Sequence, residues 1–169
     1  MILSDTITIT GWLRKNHRLF REELRHIWDA LQEPAPTGQR HAEAELKKFV
    51  KKLNVHEAVE EGILFPTALQ YLFRTDTRTM DIFQKDHHIL HRKLHDLEVQ
   101  LEARTLPLSQ MLSAMEFEFT FKEHMEQEER VLFPLLEMRL PVGIQHELAH
   151  RAEKTTRRAH VTMSAAAVV

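Results

Sequence analysis

Histidines and glutamates interrupt the apolar stripes of this chain at regular helical positions. His56 follows Leu53 by three residues and precedes Glu60 by four, so both polar side chains fall on the face that carries the apolar residues. The same arrangement recurs at His124 and Glu128. A buried carboxylate or imidazole without a partner costs several kcal/mol, so these groups need a compensating positive charge. We infer that metal ions supply this charge.

Two further segments contribute histidines to the same set. His17 and His87 each stand at an apolar step of a stripe, and His91 follows His87 by one helical turn. Cysteine is absent, which excludes thiolate sites, disulfides and iron–sulfur clusters and leaves nitrogen and oxygen as metal donors. No general base or nucleophile is evident beside this set, so we assign no catalytic residue and no organic-cofactor site. The candidate metal ligands are His17, His56, Glu60, His87, His91, His124 and Glu128.

Seven ligands are too many for one metal ion. If both glutamates bridge two ions, the first ion has five protein donors, which are the two carboxylates together with His87, His91 and His124. The second ion has four donors, which are the same carboxylates together with His17 and His56. A bridging oxygen raises these numbers to six and five, so an octahedral second ion keeps one open position. A small ligand would bind at that position.

Apolar periodicity and helix-breaking residues divide the chain into five helices, at about residues 10–32, 39–71, 79–103, 109–138 and 143–161. Pro66 should bend the second helix or end its regular part. Four long amphipathic helices with short connections predict an all-α fold, an up-down-up-down four-helix bundle over about residues 10–138. The fifth, C-terminal helix would pack outside this bundle. With 169 residues, the chain has the size of a single domain.

The two halves of the chain repeat each other. Residues 56–66 align with residues 124–134, which lie 68 positions later, and six of the eleven aligned residues are identical. A second similarity, offset by 70 positions, matches His17 with His87. The pattern therefore predicts two helical hairpins that are copies of one unit, related by an approximate two-fold axis. A site on that axis would receive similar ligands from both sides.

The residues around the candidate ligands divide into an apolar core and a solvated face. We expect the core to include Ile63 and Leu64 on the second helix and Phe121, Val131 and Leu135 on the fourth. The pair His146 and His150 has no carboxylate partner on a core stripe, so we do not assign it to a metal site. We interpret four flanking carboxylates as solvated: Glu57, Glu61, Glu126 and Glu129.

The order His, His-x-x-x-Glu, His-x-x-x-His, His-x-x-x-Glu on four successive helices resembles the bacterial hemerythrin-like (HHE-type) family over about residues 10–138. Matching positions of that family bind two irons in a four-helix bundle, and O2 binds end-on at the five-coordinate iron. The resemblance implies two Fe ions with an oxo or hydroxo bridge, which Zn or Mn could replace in a preparation. It implies that His17 and His56 serve the open iron, that His87, His91 and His124 serve the closed iron, and that Glu60 and Glu128 form the bridges.

The resemblance implies reversible binding of O2 or NO for sensing, storage or carriage, in an apolar pocket lined by Phe20, Phe49 and Phe121. Glu128 follows His124 by four residues, whereas invertebrate oxygen carriers place an aspartate five residues after the last histidine, so the chain is more similar to the bacterial variants. Two alternatives stay open. One is a di-iron enzyme of the ferroxidase, peroxidase or NO-reducing type, although ferritin-type oxidases use Glu-x-x-His instead. The other is an interaction module that the metal holds together.

The composition restricts the partners. The formal net charge is −2, without the basic excess that binding to nucleic acid requires. No apolar stretch approaches the roughly 18 uncharged residues of a membrane span, and no basic segment precedes an apolar run at the N-terminus. We therefore expect a cytoplasmic protein whose partner is a small diatomic ligand, without nucleic acid or membrane. A protein partner or a homo-oligomer stays open.

Overall fold

The computed structural model describes residues 7–74 and 76–166, and each regular element in these ranges is helical. This confirms the predicted all-α class. No helix in these ranges combines the length and the apolar character that a bilayer crossing requires. The elements are α1 (Ile9–Gln32), α2 (Thr37–Val59), π1 (Glu60–Leu64), α3 (Phe65–Ala68), α4 (Thr77–Glu102), α5 (Pro107–Gln127), π2 (Glu128–Leu132), α6 (Phe133–Arg139) and α7 (Val142–Ala166).

The four long helices α1, α2, α4 and α5 form a closed ring of neighbours. Helix α1 packs against α2 and α5, and α4 packs against the same two helices. Helix α7 lies against α1 and α2 through Leu148, Ala149 and Ala152, which are almost fully buried. It continues to Ala166, beyond the end predicted at about residue 161. The alternating direction of the helices and the single-domain organisation remain predictions from the sequence.

Thr8 caps the start of α1, because its hydroxyl oxygen accepts a hydrogen bond from the Gly11 N–H at 3.2 Å.

The turn between α1 and α2 depends on a glycine, Gly38. A Cβ atom added at Gly38 would lie 2.5 Å from the carbonyl oxygens of Ala30 and Glu33. Any larger residue at that position would force the two helices apart.

Two apolar clusters fill the bundle, and a polar layer separates them. On α1, Leu13 belongs to one cluster and Phe20 to the other, while on α4 the corresponding residues are Phe83 and Leu90. In sequence, His17 lies between Leu13 and Phe20, and His87 lies at the equivalent position between Phe83 and Leu90. The clusters therefore hold the histidine-bearing turns of α1 and α4 at the same level of the bundle.

Each proline of the repeat follows a π-helical turn. The Phe65 N–H donates to the Glu60 carbonyl oxygen and the Phe133 N–H to the Glu128 carbonyl oxygen, in both cases five residues back. Pro66 follows the first turn directly and has no N–H, and in a regular α-helix its ring would collide with the carbonyl group four residues earlier. The extra residue of the π turn avoids that collision. The predicted interruption at Pro66 is thus confirmed, although the helical path continues beyond it.

The second π turn corrects part of the predicted core. Val131, which we expected to be buried, is 52% exposed, and Leu132 is fully buried instead. Leu136 is likewise fully buried, whereas Leu135 is only half-buried. One extra residue in a helical turn rotates every later side chain by about 100°, so the stripe continues one position further along the chain. In the first repeat, Leu64 is fully buried as expected, whereas Ile63 is only half-buried, in agreement with the same shift.

Candidate metal centre

Six of the seven predicted ligands meet in the polar layer between the two apolar clusters. Helix α1 contributes His17, α2 contributes His56, α4 contributes His87 and α5 contributes His124. The two glutamates are the first residues of the π turns. None of the six exposes more than 5% of its surface, and they are His17, His56, Glu60, His87, His124 and Glu128.

Their donor atoms form two overlapping groups. One group contains His17, His56 and Glu128, and the other contains His87 and His124 together with both glutamates. Within each group, one donor atom per residue lies within 4.8 Å of every other. Because nitrogen and oxygen donors lie about 2.0–2.2 Å from a metal such as zinc, donors that share one ion are at most about 4.4 Å apart. A closure of a few tenths of an ångström would therefore let each group surround an ion.

The two oxygens of each carboxylate face different halves of the cluster. The Oε1 atom of Glu60 lies 3.3 Å from His56 Nε2, and its Oε2 atom lies 3.3 Å from His87 Nε2. The Oε2 atom of Glu128 lies 3.1 Å from His17 Nε2, and its Oε1 atom lies 3.5 Å from His124 Nε2. Both carboxylates are thus oriented to bridge two neighbouring cations.

The cluster is not satisfied by its own hydrogen bonds. All four carboxylate oxygens of Glu60 and Glu128 are buried without a hydrogen-bond partner. The inward Nε2 atoms of His17 and His87 are in the same condition. Buried polar atoms in native proteins almost always have partners, so a group of unpartnered donors that converge indicates a missing ligand. Imidazole nitrogens and carboxylate oxygens fit a divalent transition metal.

Burial and mutual charge alter the pKa values of the cluster. Burial lowers the pKa of His56 to about 3, which keeps its imidazole neutral, as coordination requires. Burial alone would also lower the pKa of His87, but the carboxylates of Glu60 and Glu61 raise it to about 10. Burial alone would raise the pKa of Glu128, but the imidazoles of His124 and His17 hold it below its ordinary value. In the metal-free protein, the protonated imidazole of His87 therefore compensates part of the buried carboxylate charge.

A phenylalanine ring packs against each of the four imidazoles. The closest ring pairs are Phe20 with His56, at 5.2 Å between centroids, and Phe133 with His17, at 5.3 Å. In the other half, Phe83 packs on His124 and Phe65 stacks on His87. The expected apolar pocket of Phe20, Phe49 and Phe121 is a packed cluster in which these rings lie 5.3–5.4 Å from one another. The surroundings of the donors are thus aromatic.

His91 lies outside the cluster. Its side chain is 45% exposed, and its Nε2 atom is 2.5 Å from a carboxylate oxygen of Glu57. Glu57 itself is only 7% exposed, so the interpretation of this carboxylate as part of a solvated face was wrong. The structure brings the other six predicted ligands together and leaves His91 paired with this neighbour on α2.

Two further carboxylates orient the histidines from outside the cluster. The Nδ1–H of His17 donates to Glu129 at 2.8 Å, and that of His87 donates to Glu61 at 2.7 Å. Arg21 also donates to Glu129, at 3.0 Å. A bond at Nδ1 fixes the tautomer that leaves Nε2 free to face a metal. Glu61 is 44% exposed, so its interpretation as solvated agrees with the structure, but its bond to His87 was not predicted. The interpretation of Glu129 as solvated was wrong, since it is only 28% exposed and bonded to His17 and Arg21, whereas Glu126 pairs with Arg130 on the surface.

Removing one outer carboxylate should weaken metal binding in one half of the cluster only. For Glu129→Ala we expect about 10–100-fold weaker binding in the His17 half, because its imidazole loses the acceptor that orients it. Glu61→Ala should affect the His87 half to a similar degree, and Glu61→Gln should recover part of the affinity because it keeps an acceptor. Calorimetric titration with Zn²⁺ measures both steps. Glu126→Ala is the matched control, and unchanged affinity in all three outer variants would exclude the orienting role.

The second histidine pair does not join a cluster. His146 is half-buried on α7 and His150 is exposed. Among the residues that the structure describes, the groups able to hold a metal are confined to the two in the polar layer.

The chain matches the family model described as the hemerythrin HHE cation-binding domain over residues 8–136. These residues include all four helices of the ring and all six converging candidate ligands. No curated protein and no solved structure gives a significant match. The match spans most of the chain, and the buried histidine and glutamate cluster is suited to holding cations. The chain therefore belongs to the hemerythrin HHE cation-binding domain family.

Proposed function

We propose that the cluster holds two iron ions and binds O2 or NO reversibly, so that the protein senses, stores or carries a diatomic ligand. The observation that carries this proposal is the orientation of Glu60 and Glu128. The two oxygens of each carboxylate face different halves of a fully buried site. Bound iron would supply the open coordination positions and the electrons that such ligands need. The protein's own residues hold the ions in place and surround them with aromatic rings.

The proposed ligand set is the same in both halves. His17 and His56 would hold one ion, His87 and His124 the other, and each carboxylate would give one oxygen to either ion. Each ion then has four protein donors and keeps open positions, which supports the binding of a small ligand. His91 could add a fifth donor to the second ion only by leaving its contact with Glu57.

The surroundings of the cluster favour reversible binding over turnover. The four imidazoles pack against phenylalanine rings, and the two glutamates are fully buried. An apolar shell of this kind limits the access of water and protons to a metal and so protects it from irreversible oxidation. Only a ligand of a few atoms could be admitted without displacing core side chains.

An optical titration tests the proposal. The protein is loaded anaerobically with Fe²⁺, the metal content is measured, and O2 is added and then removed under argon. We expect two irons per chain and a visible absorption band that appears with O2 and disappears with argon over repeated cycles. The same protein should give a characteristic spectrum with NO. Immediate oxidation without a reversible band, combined with no NO adduct, would exclude carriage and sensing.

One observation favours the enzyme as a second candidate. A surface depression of about 100 Å³ reaches His124, and its wall includes the carboxylates of Asp86 and Glu123. Acidic side chains at such an opening could guide cations or protons toward the cluster. A ferroxidase would consume Fe²⁺ and O2 with multiple turnovers per site, and Glu123→Gln would slow it. Turnover of Fe²⁺, peroxide or NO beyond one equivalent per site would favour the enzyme, whereas a single saturable binding event would favour the binder.

A further inference from the structure

We propose that an apolar cavity between α1, α2 and α7 is the route by which O2 or NO reaches the His17 and His56 half of the centre, with the Phe20 ring as its gate. This inference rests on the proposed function, since it concerns how the ligand enters the same site. It also gives the C-terminal helix α7, which lies outside the family match, a specific role: α7 forms the outer wall of the route.

A route is needed because the centre has no opening on this side. His17, Glu60 and Glu128 expose none of their surface, and His56 exposes 2%. A diatomic molecule can therefore reach this half only by passing between side chains that move aside. The structure should then contain a space that brings the ligand close to the cluster, with a single movable group in between.

The cavity is such a space. Its volume is about 140 Å³, and Leu19, Phe20, Val55 and Ala159 supply its apolar wall. An apolar cavity of roughly 150 Å³ in another protein stays dry and binds xenon or benzene, so this space is large enough for O2 or NO. The exposed residue Lys51 on α2 is also part of its wall.

Three of the four polar side chains of the cavity wall already have partners elsewhere, and the fourth, Lys51, is exposed on the surface of α2. The Asn16 amide donates to the Trp12 carbonyl oxygen at 2.8 Å, and the Thr156 hydroxyl donates to the Ala152 carbonyl oxygen at 3.0 Å. The Lys52 ammonium group forms an ion pair with a glutamate on α1. Because these three groups are occupied and Lys51 lies at the surface, the interior of the cavity provides little to attract water or a polar ligand. Its chemistry suits a small apolar molecule such as O2, NO or xenon.

The Phe20 ring connects the cavity with the centre. It forms part of the cavity wall, and it also meets the His56 imidazole edge-on at 5.2 Å between centroids. The ring is 1% exposed and also packs on Phe49 and Phe121. A rotation of this one side chain would join the cavity to the space beside His56.

The depression beside His124 is the competing route. It is smaller, about 100 Å³, and its wall includes Asp86, Glu123 and Gln127. Those groups favour water and cations over an uncharged diatomic molecule. The two openings thus differ in chemistry, and a substitution that fills one should leave the other unaffected.

Two substitutions fill the cavity from opposite walls. Ala159→Phe acts from α7, far in sequence from every ligand, and Val55→Phe acts from α2. Thr120→Phe, in the depression beside His124, is the matched control for an added ring. NO is mixed with the iron-loaded, reduced protein in a stopped-flow instrument, and its release is followed separately. Circular dichroism and iron content confirm that each variant is folded and loaded.

We expect both cavity variants to slow NO association and NO dissociation by about tenfold or more, while the dissociation constant stays within about twofold of the parent. A gate changes both rates equally, whereas damage to the metal site would change the equilibrium. Thr120→Phe should change neither rate. Unchanged rates in Ala159→Phe and Val55→Phe, or slowing in Thr120→Phe alone, would overturn the proposed route.

A xenon experiment separates the cavity from the proposed function. Crystals of the zinc-loaded protein under xenon pressure should show a xenon atom beside Phe20, and crystals of Ala159→Phe should show none. If the parent binds no NO at all, the proposed function fails, and xenon at this site still shows an apolar cavity. If NO binds but xenon does not enter beside Phe20, the route fails and the proposed function stands.

Discussion

Replacing Glu60 or Glu128 by alanine is expected to abolish the binding of both metal ions, although each substitution removes only one side chain. The reason is the split orientation of each carboxylate, whose two oxygens face imidazoles in different halves of the cluster. Loss of either bridge takes one donor and part of the compensating charge from both ions at once. We expect the metal content to fall from about two ions per chain to well below one, with affinity at least about 100-fold weaker for each ion.

Histidine variants should behave differently. His17→Ala removes a donor that faces only one half of the cluster. This variant should therefore lose one metal ion per chain and keep the other, which remains bound through His87 and His124. His91→Ala should retain both ions, because that imidazole lies outside the cluster against Glu57. Metal analysis after dialysis, with calorimetric titration of Fe²⁺ under anaerobic conditions, measures these stoichiometries. Full retention of one ion in both alanine variants of the glutamates would show that the carboxylates do not bridge.

The histidine and glutamate candidates could be recognised from the sequence because they break a pattern. His17 and His87 occupy positions on the apolar face of a helix, and burial of a polar side chain at such a position needs a physical reason. Six of the seven candidate residues are buried together in the structure. His91 shares a helix face with His87 at a spacing of four residues, but that spacing alone does not show where the imidazole points. Glu57, a buried partner on α2, could be identified only from the packing of two helices.

The core positions after each bridging glutamate could not be predicted from a 3.6-residue period. The π turns that begin at Glu60 and Glu128 add one residue, and periodicity has no means to register such an insertion. The signal that was present is the proline six residues after each glutamate, because a proline inside a long helix requires a local change of hydrogen bonding. Val131 was misplaced for this reason, and Leu132 took its position in the core.

The repeat contains more information than the ligands alone. Each of its six identical positions has a distinct place in the structure: candidate histidine ligand, candidate bridging glutamate, outer carboxylate, core leucine, phenylalanine beside a histidine, and proline after the π turn. The outer carboxylate and the phenylalanine of each copy act on a histidine of the other hairpin. Glu61 and Phe65 contact His87, while Glu129 and Phe133 contact His17. Identity between the copies was therefore a signal for Glu61 and Glu129 that helical spacing did not provide.

Removing the metal is expected to lower the melting temperature by about 20 °C. At a free-metal concentration near 1,000 times the dissociation constant, each bound ion contributes about 4 kcal/mol, and two ions contribute about 8 kcal/mol. One kcal/mol corresponds to about 2–4 °C in a protein of this size. The metal-free protein must also bury Glu60 and Glu128 without hydrogen-bond partners for their oxygens. Calorimetry of iron-loaded protein and of protein treated with a chelator measures the difference.

A double variant isolates the contribution of the metal from that of the buried charges. Glu60→Leu combined with Glu128→Leu replaces both carboxylates by apolar side chains in a layer that already lies between two apolar clusters. Because buried ionic groups are often less stabilising than apolar residues of similar volume, the metal-free variant should melt at or above the metal-free parent. Added metal should stabilise only the parent. Equal melting temperatures for the parent with and without metal would mean that the cluster binds no ions. A large shift in melting temperature without any response to O2 or NO would instead support an interaction module that the metal holds together.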